Sequence, residues 1–296
     1  MDIDSPILLV GAARSGKSLL GNFLAIHKDT SWFSNYSDKF PSTPQISYLH
    51  RTIDWPVIGR VIKKSIISRH PRRFLPRPTE GEIVYHTYCD VTRERIDDTK
   101  KNVLNQNDDS IKKLKDSIVA HIKCHGKNRF ITDQSDNAQR ISLLSAIFIK
   151  PYVIHVIRDG RAVANEIVQS AWWSDVWIWW YGKTPQDWAR TTGKDSLVMS
   201  GMHWLKTVNA VQEDIKFVKD RYLEIRYEEL TENPKEVIRR AASFCGLELY
   251  PEFENYLPKK ITNYNFRWKS ELSPEQIKTL EQELREPLIE LGYMQK

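Results

Sequence analysis

Residues 11–18 read Gly-Ala-Ala-Arg-Ser-Gly-Lys-Ser, a G-x-x-x-x-G-K-[ST] turn. The apolar run Pro6-Ile-Leu-Leu-Val10 leads into it, and Leu-Leu-Gly-Asn-Phe-Leu-Ala-Ile-His leads out as an amphipathic helix. No other feature constrains the fold as much. A turn of this kind works only between a buried strand and the N-terminus of a helix, where successive backbone N–H groups and the helix dipole converge on one anion. Lys17 can then reach a terminal phosphate-like group, and Ser18 an oxygen or a metal. The sequence predicts a nucleotide-binding chain built on a parallel sheet.

The remaining apolar runs agree. Arg129-Phe-Ile-Thr132, Tyr152–Ile157 and Tyr222–Tyr227 read as buried strands. Helical patterns lie between them, around 138–148, over Ala162–Ser170, around 202–219 and from Pro234, with Gly246 placed to end the last. Strands alternating with helices predict an α/β fold, a three-layer doubly wound parallel sheet. Residues 34–98, with six of the fourteen prolines, and residues 171–195, with six of the ten tryptophans, break that rhythm. They are expected to be helical insertions on a single domain spanning residues 1–296, on the acceptor side of the site.

Composition excludes other classes. With 41% hydrophobic and 28% charged residues in 296, the chain is globular and long enough to bury a core unaided. The three cysteines, Cys89, Cys124 and Cys245, are odd in number and lack CxxC spacing, so no disulfide framework or zinc site is expected. No run approaches the ~18 apolar residues of a membrane span. The acidic start Met-Asp-Ile-Asp lacks the basic region of a signal peptide. A cytoplasmic location is expected. The net charge of +6 is local: seven basic residues fall between Arg60 and Arg77, with no acid from Trp55 to Thr79. Ile58, Val61, Ile62 and Ile66 recur there at helical spacing. That pattern suits either a helix packed on the core or one lying on an anionic bilayer through 57–77. No recognition module accompanies the charge, so nucleic-acid binding is not expected.

A second motif, Ile157-Arg-Asp-Gly-Arg161, follows the strand at 152–157, where ligands bind in a doubly wound sheet. Together with Arg226-Tyr-Glu-Glu-Leu230, Arg267-Trp-Lys269 and Leu291-Gly-Tyr293, the two motifs resemble, in order, the sulfotransferases that use 3′-phosphoadenosine 5′-phosphosulfate (PAPS). The resemblance covers most of the chain. It implies that Ala13, Arg14, Ser15, Gly16, Lys17, Ser18 and Leu19 hold the 5′-phosphosulfate. It also implies that Arg158, Glu166, Tyr227, Arg267, Trp268 and Lys269 lie on the nucleotide side, with adenosine 3′,5′-bisphosphate as product. No metal is expected. Three departures stand out: Lys17 where the family has Thr, Glu166 where it has a Ser on the 3′-phosphate, and Gln134 where some members have Lys. Ser34 and Asn35 occupy the place of a Glu that some relatives use in catalysis.

Sulfuryl transfer needs a positioned donor, neutralised equatorial charge and a base for the acceptor hydroxyl or amine. Arg14 and Lys17 suit the first two tasks. For the base, Glu80 leads, with His86, Glu82 and Asp38 as rivals. The acceptor is expected to be a carbohydrate, a lipid or another small molecule, which the tryptophans of 171–195 suit equally with core packing. Two other readings stay open. A P-loop kinase would use Lys17, Ser18 and Asp133 with ATP and Mg²⁺, and a non-catalytic member of the fold would only bind an anionic ligand.

Overall fold

The computed structural model of the chain describes residues 5–68, 72–88 and 109–296. Cys89, residues 89–98 of the first insertion, and Arg69 and His70 of the basic run lie outside the described residues. Five strands, β1 (Ile7–Val10), β2 (Thr30–Ser31), β3 (Arg129–Thr132), β4 (Tyr152–Ile157) and β5 (Tyr222–Arg226), form one sheet in the order β2-β3-β1-β4-β5. All of its pairings are parallel, with Leu8 opposite Thr132 on one side and Val153 on the other.

The layers follow from alternation along β1. Ile7 and Leu9 enter one core with Leu20, Phe23 and Leu24 of helix α1 (Lys17–Ala25) and Ile238 and Ala241 of a later helix, Pro234–Phe244. Leu8 and Val10 face the other way, onto Leu114, Ile118 and Ile122 of a helix spanning Asp109–His125 and onto Leu144. The three inner strands β1, β3 and β4 are thus buried on both faces, the doubly wound arrangement expected from their continuous apolar runs, whereas the edge strand β5 buries only Ile225 fully. A third core joins the C-terminal ends of β1 and β4 to the carboxyl-terminal helices through Ile157, Trp204, Leu280, Leu284 and Leu288.

Local boundaries differ where caps override periodicity. The expected helix around 138–148 is a 3-10 turn, Ser135–Gln139, followed by a helix confined to Ile141–Ile147. The one around 202–219 begins earlier, at Ser196, because the Asp195 side chain accepts from the Leu197 N–H, and it ends at Asp214. The tryptophan segment is mostly turns, closed by an Ile178–Lys183 bridge, and becomes helical only at Pro185–Thr192. In the basic segment, helix α2 (Ile58–Ile66) buries Ile62 and Ile66 but turns Ile58 and Val61 outward, so the four do not form one face. Among the described residues no helix is long and apolar enough to cross a membrane.

Candidate active site

The turn after β1 takes backbone conformations that its sequence makes accessible. Gly11, Arg14 and Gly16 all have positive φ, 132°, 65° and 102°. At Gly16 a Cβ would lie 2.8 Å from Cδ2 of Tyr227, so only glycine fits both the angle and the space. Lys17 is buried beneath the loop and donates to the carbonyls of Gly11 (2.7 Å) and Ala12 (3.1 Å). Burial pushes its ammonium toward the neutral form, against the opposing pull of Glu80, Asp133 and Asp136. The hydroxyl of Ser15 is buried with no hydrogen-bond partner among the described residues. The Ser15 N–H donates to the Ala12 carbonyl (3.2 Å), which closes the turn.

The two arginine motifs converge on that loop. Arg158, at the end of β4, is 2% exposed, and each of its nitrogens has a partner. Nη1 donates to the Arg14 carbonyl (2.9 Å), Nε to Asn265 Oδ1 (3.1 Å) and Nη2 to Glu166 Oε1 (2.8 Å). Its guanidinium lies 4.1 Å from the centre of the Tyr227 ring. Trp204 Nε1 donates to the Arg158 carbonyl, and Gly160 lets the indole approach, since a Cβ there would be 2.6 Å from it. The strand end is therefore held on both sides. Arg14 reaches outward to Ser170 Oγ, 2.9 Å from its Nη2.

These groups line a cavity of about 810 Å³. Ala13, Arg14, Gly16, Lys17, Ser18 and Leu19 form its floor, and Arg158, Glu166, Tyr227 and Tyr264 form one wall. The tryptophan segment also lines it, through Trp172, Trp177 and Trp179, together with His203. Trp179 Nε1 is buried without a partner among the described residues. A second cavity of about 320 Å³ adjoins it, lined by Asn22, Ile66, Arg77, Pro78, Thr79 and Asp133. Ser18 and Glu80 line both.

Glu80 is fixed at that junction. Ser135 donates to its carboxylate twice, from the backbone N–H (2.9 Å) and the hydroxyl (3.0 Å). Burial pushes the Glu80 carboxyl above the usual range, and Asp133 adds to the rise, while Lys17 and Ser135 oppose it. Of its rivals, Glu82 lines the larger cavity, and His86 is exposed and sits 3.5 Å from Glu82 one helical turn away. Asp38 lies in the helix Asn35–Lys39, its carboxyl raised chiefly by burial.

Other expected residues sit elsewhere. Arg161 donates to Asp159, to Glu281 (2.6 Å) and to the Tyr293 carbonyl (2.8 Å), and its guanidinium covers the Trp268 ring at 4.5 Å. It ties β4 to the carboxyl-terminal segment. Trp268 is buried under it, Arg267 pairs with Glu271, and Lys269 is exposed beside Phe266. The carboxyl-terminal loop instead reaches Arg158 through Asn265, which is 2% exposed, and reaches the cavity through Tyr264. Neither residue carries a charge or a motif letter that would have marked it. Ser135 and Ser170 were equally silent in sequence, whereas the density of tryptophan did signal the 171–195 wall.

Comparison with known proteins bears on this geometry. The profile of the Sulfotransferase family matches residues 6–252. Carbohydrate sulfotransferase 2 of mouse and of human are each 27% identical over 105 residues, 30% of this chain and 20% of theirs. The match thus spans a fifth of the length of those relatives. Among solved structures, a sulfotransferase from Mycobacterium avium superposes with a TM-score of 0.58 at 13% identity, over 97% of this chain and 77% of that one. A sulfotransferase from Mycobacterium tuberculosis H37Rv gives 0.57 at 11%, over 95% and 76%. The sulfotransferase domain of the curacin biosynthetic pathway gives 0.52 at 14%, over 96% and 99%.

Proposed function

The chain belongs to the sulfotransferase family, and from that premise we propose that it moves the sulfuryl group of PAPS onto a hydroxyl or amine of a small acceptor, a carbohydrate or a lipid. The observation that carries this reading is the meeting of two cavities at Ser18 and Glu80. The larger holds the phosphate-loop residues, Lys17 and Arg158, which suit a nucleotide with anionic groups at both its 3′ and 5′ positions. The room kept by Gly16, which lines that cavity, fits the same group. The smaller cavity, with Asn22, Arg77, Thr79 and Asp133 beside Ile66 and Pro78, offers a polar acceptor hydrogen bonds and some apolar contact.

At the junction, the Glu80 carboxylate takes the proton of the acceptor hydroxyl. The acceptor oxygen forms its bond to sulfur as the bond from sulfur to the 5′-phosphate oxygen breaks. Lys17 and the loop N–H groups balance the charge left on that phosphate. A carboxyl with a raised pKa is better matched to this task than an ordinary surface one. Burial supplies the rise, and Ser135 fixes the aim.

Calorimetric titration with adenosine 3′,5′-bisphosphate, adenosine 5′-phosphate and ATP, each with and without Mg²⁺, tests the reading. Metal-independent binding strengthened by the 3′-phosphate is expected. Glu80→Gln should bind the bisphosphate as the wild type does and lose about 10²–10⁴-fold in turnover. The wild-type rate should rise with pH through a value above the usual carboxylate range. One observation favours a second reading: Ser18 and Asp133 share the smaller cavity, as a phosphoryl-transfer site with Mg²⁺ would require. Preference for ATP with Mg²⁺ over the bisphosphate would replace the first reading by that one.

A further inference from the structure

Helix α2 and the residues around it present a surface that the site does not use. Val57 is 74% exposed, Trp55 54%, and Ile58 and Val61 about two fifths. At helical spacing, Val57, Val61 and Lys64 lie along one outward line, with Ile58 on one flank and Arg60 on the other. The inward line is Ile62, Lys63 and Ile66. The strap that follows adds exposed Arg72, Arg73 and Phe74. It is fastened, not loose: Arg72 N donates to Ser65 Oγ, Asn35 Nδ2 to the Arg73 carbonyl and Tyr36 OH to the Phe74 carbonyl (2.6 Å). The nearby acids are engaged elsewhere, Asp54 with Lys127 and Glu252 with the inward Lys63.

We propose that this face, formed by Trp55, Val57, Ile58, Val61 and Phe74 among Arg60, Lys64, Arg72 and Arg73, docks the protein on an anionic lipid bilayer. Charge complementarity selects the occupant: the whole segment from Trp55 to Thr79 lacks an acid. Aliphatic side chains in the middle of the cations select a bilayer over a nucleic acid, whose phosphates would satisfy the cations and leave Val57, Ile58 and Val61 in water. A helix lying in the interface buries such residues among the acyl chains, while Arg and Lys stems extend to the headgroups. Each cation near an anionic leaflet strengthens binding, and a tryptophan at the helix entrance suits the headgroup level.

The placement has a consequence for the acceptor. Ile66 on the inward side of α2 and Arg77 and Pro78 at the end of the strap line the smaller cavity. A docked protein therefore holds that cavity on the far side of α2, one helix diameter (~10 Å) from the membrane surface, within reach of an acceptor group that projects from it. This orientation rests on the reading of the smaller cavity as the acceptor's; the docking itself does not.

Flotation of the full chain with vesicles of phosphatidylcholine alone, or with about a third phosphatidylserine, tests the docking. Binding to the anionic vesicles, weakened by salt and negligible on phosphatidylcholine, is expected. Val57→Asp with Val61→Asp should lower it tenfold or more, and so should Arg60→Glu with Lys64→Glu. These residues are exposed, so both variants should keep the wild-type melting temperature and the affinity for adenosine 3′,5′-bisphosphate. A wild type that floats but binds no nucleotide would sink the proposed function and leave the docking intact. Absence of flotation, or flotation that both variants retain, would overturn the docking. So would a concentration-dependent dimer abolished by Val57→Asp, which would assign the face to a second copy.

Discussion

Replacing Glu166 by glutamine should tighten nucleotide binding, an unusual direction for a change inside a ligand cavity. The carboxylate sits 2.8 Å from Arg158 Nη2, its side chain 28% exposed while that of Arg158 is 2% exposed. A 3′-phosphate held by the same guanidinium would meet a cation already neutralised, with a carboxylate roughly 5–6 Å away. Glu166 faces partly solvated space, so an effective dielectric of about 40 is appropriate, between ~20 for surface pairs and ~80 for water. The repulsion is then about 1.5 kcal/mol per unit of phosphate charge, roughly tenfold in affinity for each. Glu166→Gln should bind adenosine 3′,5′-bisphosphate about 10–100-fold more tightly, with adenosine 5′-phosphate unchanged within about twofold. The free protein loses a partner for a buried guanidinium, about 1–2 kcal/mol, or a few degrees in Tm, which bound bisphosphate should restore. Calorimetry on both nucleotides with both proteins measures the ratio directly. If the variant weakens both ligands equally, Glu166 acts as a brace for Arg158 and the electrostatic reasoning is wrong.

Acid should destabilise the fold well before its carboxylates titrate. Burial lowers His50 and His155 to about 3, His121 to about 4, and His125 well below its usual value. A group depressed in the folded state contributes its full share above the unfolded value near 6.5, and that share is lost as pH falls toward the folded one. At pH 5.5 each histidine costs about 1.4 kcal/mol, up to roughly 5 for the four. The urea midpoint should therefore fall sharply between pH 7.5 and 5.5, and a flat profile would refute the neutral assignments. Gly16→Ala should lose more than tenfold in bisphosphate affinity, because it strains a φ of 102° and strikes Tyr227. Adding Tyr227→Ala would return the space but not the angle, so only partial recovery is expected in the same titration.

The parts of this architecture that could be read from sequence are those where one residue type has one physical use. β1 and the loop were legible because an apolar run, two glycines and a lysine at fixed spacing have few other uses. β4 was legible to the residue, since six consecutive apolar-compatible positions ended at Arg158. β2 was not, because two residues carry no periodicity. The facing of the basic helix could not be read from spacing: Ile58, Val61, Ile62 and Ile66 share a helical spacing, yet α2 packs its Ile62–Ile66 side and leaves the other half outward. Arg161 and Trp268 sit in motifs expected near the ligand, yet their contacts are with Glu281 and with each other, because charge and aromaticity serve an ion-pair cluster as well as a phosphate. Asn265, Ser135 and Ser170 escaped notice for the opposite reason. Their polar atoms acquire meaning only through partners 55 to 156 residues away.

The three departures from the family's pattern gain a common account once their partners are known. Loss of function would leave replaced residues without partners, or a cradle filled in. Lys17 instead bonds the loop's own carbonyls beneath an open cavity. Gln134 accepts from Arg140 Nη1 (3.2 Å) and donates to Asp136 Oδ2 (3.3 Å), within a buried network. Glu166 closes the set of partners around Arg158. Each replacement is thus matched by a neighbour, and Lys17, Arg158 and Glu166 still line an open cavity. That matching, beside the positive-φ glycines that shape the loop, is what a retained cavity requires, and the Glu166→Gln titration decides whether position 166 sets its selectivity.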